Sequence, residues 1–173
     1  MMNAHPGGRE ATRSLLACAQ LPAGAAVLDM GAGAGETLAL LRERGYDARG
    51  IDLNPRTDAV ERADLLQAPF PDAGFDAVIS ECTFFVSGDV PGALREARRL
   101  LKSGGKLLLA DVFFAPPQPL LEAAGFSLLH AEDVTPQWRE YYLEALWREE
   151  EACLCEVPRG KCGYRLLIAE RRR

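Results

Sequence analysis

Four acids, Asp29, Glu36, Asp52 and Asp64, stand where short apolar runs give way to turns. The first two frame the glycine loop of Val27-Leu28-Asp29-Met30-Gly31-Ala32-Gly33-Ala34-Gly35-Glu36. A glycine loop after a strand lets the backbone approach a ligand closely and aims a helix N-terminus at it. In the dinucleotide version a third glycine permits tight helix packing beneath a pyrophosphate, but here Glu36 holds that place. Asp29, two residues before Gly31, adds a second carboxylate. Two negative charges repel a diphosphate and favour a ligand with an ammonium or sulfonium centre.

S-adenosylmethionine carries both cations. Asp52 closes the second apolar run 19 residues after Gly33, the distance that suits an acid accepting ribose hydroxyls. Asp64 follows a third run, where its carboxylate can accept from an adenine amino group while Leu53 and Leu65 flank the ring. Glu36 reads equally well as a favourable acid in the first turn of a helix.

Apolar runs alternating with helical patterns put these acids on an α/β sheet. The periodicity predicts a helix over Arg9 to Ala19, strands at Ala26 to Asp29 and Ala48 to Asp52, and a helix between those strands that stops at Gly45. A third short strand ends near Arg62-Ala63-Asp64, and Leu53 to Glu61 is too short a link for a full crossover helix. Further strands are expected at Phe75 to Ser80, Lys106 to Ala110, Phe126 to Ala131 and Tyr164 to Ala169. A helix over Val90 to Leu101, closed by Gly104-Gly105, and another over Gln118 to Ala124 complete the alternation. Pro136 to Glu150 is helical in pattern and leads into ACLCEVPRGKC. Residues 1–173 therefore read as one domain with a helical, cysteine-bearing insert at about 135–163.

Charge and composition narrow the partners. A net charge of −5 argues against a broad phosphate-binding surface, so no nucleic acid is expected. No apolar run approaches the roughly 18 residues of a membrane span. The first residues lack a secretory signal, so a cytoplasmic protein with no membrane partner is expected. Cys18, Cys82, Cys153, Cys155 and Cys162 are odd in number and irregular in spacing, which predicts reduced thiols and no resident metal. The chain is equally compatible with a monomer and a homodimer.

Together with VLDMGAGAGE and GIDLNP, the blocks ADLLQAPFPDAGFDAVISE and ALREARRLLKSGGKLLLADV resemble class I S-adenosylmethionine-dependent methyltransferases of the ubiquinone/menaquinone type. The resemblance implies a doubly wound, Rossmann-like, mostly parallel seven-stranded sheet of order 3-2-1-4-5-7-6 with strand seven antiparallel. It also implies cofactor contacts from Asp29, Gly31, Ala32, Gly33, Gly35, Asp52, Leu53, Asp64, Leu65 and the backbone around Glu81, with S-adenosylhomocysteine as product. The shortened stretch between Asp52 and Asp64 departs from the family and bears on how the adenosine is covered.

Methyl transfer from a sulfonium is an in-line displacement, so a small-molecule acceptor held by positioning is expected. Phe84, Phe85 and Trp138 are candidate acceptor walls, with core packing as the alternative for each. The catalytic candidates are His5, Cys82 and Tyr141. His5-Pro6-Gly7-Gly8 resembles the H/R-P-G-G segment of short bacterial methyltransferases that end, as Gly163 to Ala169 does, in G-Y-x-L-L-I-A. Cys82 follows Val78-Ile79-Ser80-Glu81, which resembles the strand-four segment of arsenite methyltransferases, where a cysteine binds the metalloid. A thiol or metalloid acceptor held by Cys82, Cys153, Cys155 and Cys162 is therefore one alternative. A non-catalytic S-adenosylmethionine-binding regulatory or scaffold module is another, because no general base stands out.

Overall fold

Val27, Ile79 and Leu108 pack into one apolar layer while Leu28, Val78 and Leu107 pack into a second, because successive side chains of a strand point to opposite faces. The computed structural model describes residues 6–147 and 161–173. The strands are β1 (Ala26–Met30), β2 (Asp47–Asp52), β3 (Glu61–Arg62), β4 (Phe75–Glu81), β5 (Leu101–Phe113), β6 (Phe126–Asp133) and β7 (Gly163–Arg171). They form a seven-stranded sheet of order β3-β2-β1-β4-β5-β7-β6. β7 is antiparallel to both β5 and β6, and the other pairs are parallel. Both the order and the reversed strand agree with the expectation.

Helices α1 (Gly8–Ala19), α2 (Glu36–Glu43) and α5 (Thr135–Trp147) cover the face that carries Val27. Helices α3 (Val90–Leu100) and α4 (Gln118–Ala123) cover the other. α1 buries Thr12, Leu15, Leu16 and Ala19, an i, i+3, i+4, i+7 stripe, and Lys106 Nζ donates to the Ala19 carbonyl at 2.6 Å. α3 opens on Asp89, whose side chain accepts from the Gly92 N–H at 2.8 Å.

Two elements differ from expectation. β3 spans only Glu61–Arg62 and ends before Asp64, whose carboxylate instead caps a short 3-10 turn over Leu65–Gln67. Gly104-Gly105 does not close α3: the helix ends at Leu100 and the extended segment begins at Leu101. Leu101 already pairs with Phe75, so the glycines lie within β5, where the register against β4 shifts. Gly104 has φ +75°, and a Cβ on Gly105 would sit 2.9 Å from the Lys102 carbonyl oxygen.

The loop after β1 rests on β2 at Gly50, where a Cβ would come within 2.9 Å of Ala32 Cβ and 3.0 Å of Leu38 Cδ2. Gly50→Val should therefore cost about 1–3 kcal/mol by overpacking. Thermal unfolding should show a Tm lower by roughly 2–4 °C per kcal/mol. An unchanged Tm would mean that the loop does not pack on β2 as described.

Candidate active site

Because β2, β1 and β4 are neighbours in the sheet, the acids at or near their carboxyl ends, Asp52, Asp29 and Glu81, meet around one cavity of about 140 Å³. Gly31, Ala32, Gly33, Thr37 and Cys82 also line it. This crevice lies at the carboxyl edge of an open α/β sheet, where such sheets bind ligands.

Four N–H groups of the loop are already used within the protein. Gly31 and Ala32 both donate to the Ile51 carbonyl, at 2.8 and 2.9 Å, and Gly35 donates to the Ala32 carbonyl at 2.7 Å. Gly33 donates to Asp52 Oδ2 at 3.0 Å. Gly31 adopts φ +91°, and a Cβ there would fall 2.1 Å from Thr83 Oγ1, so only glycine fits between β1 and the turn after β4.

Each acid has its own support. Asp52 accepts from the Gly33 and Asn54 N–H groups, at 3.0 and 2.8 Å, so it holds the loop closed and keeps further lone pairs for a ligand. Glu81 accepts from Thr12 Oγ1 at 3.0 Å and from Thr37 Oγ1 at 2.6 Å, which draws α1 and α2 onto the end of β4. Asp29 accepts from the Leu38 N–H, is only 2% exposed, and leaves Oδ2 without a partner. Burial holds the Asp29 carboxyl well above the ordinary carboxylate range, and the nearby charges of Glu81 and Asp52 push it the same way.

An unpartnered buried carboxylate oxygen among other acids fits a ligand that brings an ammonium, a sulfonium and hydroxyls. It does not fit a diphosphate.

Most other candidates from the sequence lie outside the cavity. Leu53 is exposed, Leu65 is buried in the second core layer, and Asp64 accepts from the Leu66 N–H at 2.8 Å; none of them lines the cavity. Glu36 is an exposed first-turn acid of α2 and also lines the cavity, so both readings of it coexist. Phe84 is fully buried in the core, whereas Phe85 is half-buried against Phe114, with ring centroids 5.8 Å apart. Trp138 and Tyr141, at 4% and 8% exposed, dock α5 onto the sheet, as does Tyr142. Trp138 stacks on Tyr164 with an interplanar angle of 11°. His130 is exposed on β6. His5, Cys153 and Cys155 lie outside the described residues.

Cys82 does line the cavity, in a left-handed backbone turn at φ +59°. Its Sγ lies 2.9 Å from the Tyr164 hydroxyl, which donates to the Ala110 carbonyl at 3.1 Å. Thiol and phenol can each donate in this contact, which ties the turn after β4 to β7. Burial, and then Cys82, pushes the Tyr164 hydroxyl well above its usual range.

Sequence reasoning missed Thr12, Thr37 and Arg56. The threonines carry no local motif, because their partners are far away in the chain: Thr12 and Thr37 lie 69 and 44 residues from Glu81. For Arg56 the short link after Asp52 was the available signal.

The Asp29 carboxyl has a sign that can be tested. Its unfolded value is near 3.9 and its folded value is raised, so the wild type loses stability as pH climbs from about 4 through the folded pKa. Asp29→Asn removes that loss and can still accept from the Leu38 N–H. Without ligand at pH 7.5 its Tm should exceed that of the wild type by at least about 2 °C, with the gap closing towards pH 4. A lower Tm at pH 7.5 would contradict the electrostatic account.

Comparison with known proteins agrees with this geometry. A family profile described as "Methyltransferase domain" matches residues 28–109, the stretch that holds Asp29, Asp52 and Glu81. Phosphoethanolamine N-methyltransferase of Triticum aestivum is 31% identical over 90% of this chain and 37% of its own length. Demethylmenaquinone methyltransferase of Tropheryma whipplei is 32% identical over 66% of this chain and 52% of its own. The chain thus spans about a third to a half of the length of these curated relatives. In fold, Haemonchus contortus phosphoethanolamine N-methyltransferase 2, solved in complex with S-adenosyl-L-methionine, matches with a TM-score of 0.76 at 19% identity, covering 98% of this chain and 54% of that one. In matched segment, strand order and acid-lined crevice, the chain is similar to class I S-adenosylmethionine-dependent methyltransferases.

Proposed function

We propose that the cavity binds S-adenosylmethionine and that the chain directs its methyl group to a small-molecule acceptor. The observation that carries this reading is the buried, unpartnered Oδ2 of Asp29 beside Glu81 and Asp52. When bound, the cofactor supplies an electrophilic methyl on a sulfonium. Asp29 complements the amino and sulfonium charges, Asp52 accepts from the ribose hydroxyls, and the glycine loop lets the nucleoside lie against the backbone. Cys82 and Thr83 line the cavity just after β4, which supports reading this turn, with Phe85 beyond it, as the acceptor side. Catalysis on this reading comes from alignment, with the acceptor's attacking atom already unprotonated. The described residues form one sheet with helices on both faces, in keeping with a single domain, and contain no helix long and apolar enough to cross a membrane.

Cys82 on the cavity lining favours a second acceptor class, a thiol or metalloid. Among the described residues no group of three metal-ligating side chains occurs, so this reading depends on Cys153 and Cys155. Titrating accessible thiols with and without arsenite separates the two, because protection by arsenite supports the second and unchanged accessibility the first. A module that binds the cofactor without turnover would transfer no label from methyl-labelled S-adenosylmethionine to any component of a metabolite extract.

Asp52→Ala should weaken S-adenosylmethionine binding more than tenfold, on the order of the loss of charge-assisted hydrogen bonds and of the Gly33 anchor. Calorimetry with S-adenosylmethionine and NAD checks both points. Unaltered affinity in the variant, or tighter binding of NAD by the wild type, would overturn the reading.

A further inference from the structure

The link between β2 and β3 contains no helix, and it does not hang away from the sheet. Its backbone is pinned to the glycine loop, with the Arg56 N–H donating to the Gly33 carbonyl at 3.0 Å. A Cβ on Gly33 would lie 3.1 Å from an Arg56 guanidinium nitrogen, and one on Gly35 would lie 3.2 Å from Thr57 Cγ2 and 3.5 Å from Val60 Cγ2. Arg56, Thr57 and Val60 thus fold back over the loop, with Val60 buried beneath.

The Arg56 guanidinium lines the cavity. Asp29, Glu36, Asp52 and Glu81 line the same cavity, yet Arg56 makes no ion pair among the described residues. A planar cation held beside acids but bonded to none of them keeps its face and all its N–H donors for a ligand. Its position identifies which part of the ligand that is. Arg56 shares Gly33 with Asp52, since the Gly33 carbonyl accepts from Arg56 while the Gly33 N–H donates to Asp52. Both belong to the β2 side of the cavity, across β1 from Glu81 and Cys82 on the β4 side.

The geometry points to Arg56 as the residue that covers the adenosine half of the cofactor, taking the place of a crossover helix that this chain lacks. The proposal rests on the S-adenosylmethionine reading above. The guanidinium lies flat on the purine face and directs N–H groups at ribose oxygens, while Asp52 accepts from the ribose hydroxyls on the other side. This residue sets how tightly the adenosine end is held and leaves the amino acid end to Asp29 and its neighbours.

Calorimetry with S-adenosylhomocysteine and with 5′-deoxy-5′-methylthioadenosine, which lacks the amino acid end, tests it on the full chain. Arg56 is exposed, so its substitution should leave the unliganded Tm essentially unchanged. Arg56→Ala should weaken both ligands by the same factor, about tenfold. Arg56→Lys, which keeps the charge but not the plane, should recover less than half of that loss on a logarithmic scale. Loss confined to S-adenosylhomocysteine would assign Arg56 to the carboxylate end and overturn the proposal, as would no loss for either ligand or full recovery by lysine. Wild-type protein that binds neither ligand would overturn the methyltransferase reading itself, and this inference with it.

Discussion

Three carboxylates converge at the tips of adjacent strands, and the site is organised around keeping them together. Neighbouring strands lie about 4.8 Å apart, so the order β2-β1-β4 brings Asp52, Asp29 and Glu81 into one crevice. Asp52 is satisfied by backbone N–H groups and Glu81 accepts from threonine hydroxyls, but Asp29 has a single N–H donor and an oxygen left over. A buried carboxylate in that condition is costly to ionise, and a ligand that brings positive charge relieves the cost. Ligand affinity and unliganded stability are therefore opposed at this residue.

The bonds that satisfy the other acids also build the walls. Glu81 ties α1 and α2 to β4, so the helix preceding the sheet and the helix following the glycine loop close on the same side chain. Asp52 holds Gly33, and Gly31 admits Thr83 only because it has no side chain. The N–H groups of Gly31, Ala32, Gly33 and Gly35 are turned inward to Ile51, Ala32 and Asp52. The clustered acids repel a diphosphate, and the inward-turned N–H groups leave it fewer donors.

Local signals carried most of the fold. The period-2 apolar runs, the positive-φ glycines of the loop and the acid closing β2 are all properties of a few neighbouring residues, and each was legible. Interactions between distant segments were not: nothing near Thr12 or Thr37 marks either as a partner of Glu81. Burial was hard to foresee for the same reason. Phe84 and Phe85 are alike in sequence, yet one is sealed in the core and the other packs at the rim against Phe114. Trp138 belongs to the stripe that docks α5, and it reaches the cavity only through Tyr164 and Cys82. Gly104-Gly105 looked like a helix stop because glycine ends helices often, but the pair serves the register shift between β4 and β5.

On the proposed reading the cofactor is S-adenosylmethionine, while the acceptor depends on the turn after β4, where Cys82 lines the cavity and Phe85 is half-buried beside it in sequence. The central claim concerns Asp29, and a carboxyl-carbon NMR titration of that residue, without ligand and with saturating S-adenosylmethionine, tests it most directly. The account predicts titration above the usual carboxylate range in the unliganded protein and a marked fall once the cofactor is bound. An ordinary value without ligand, or one that the cofactor leaves unmoved, would contradict it.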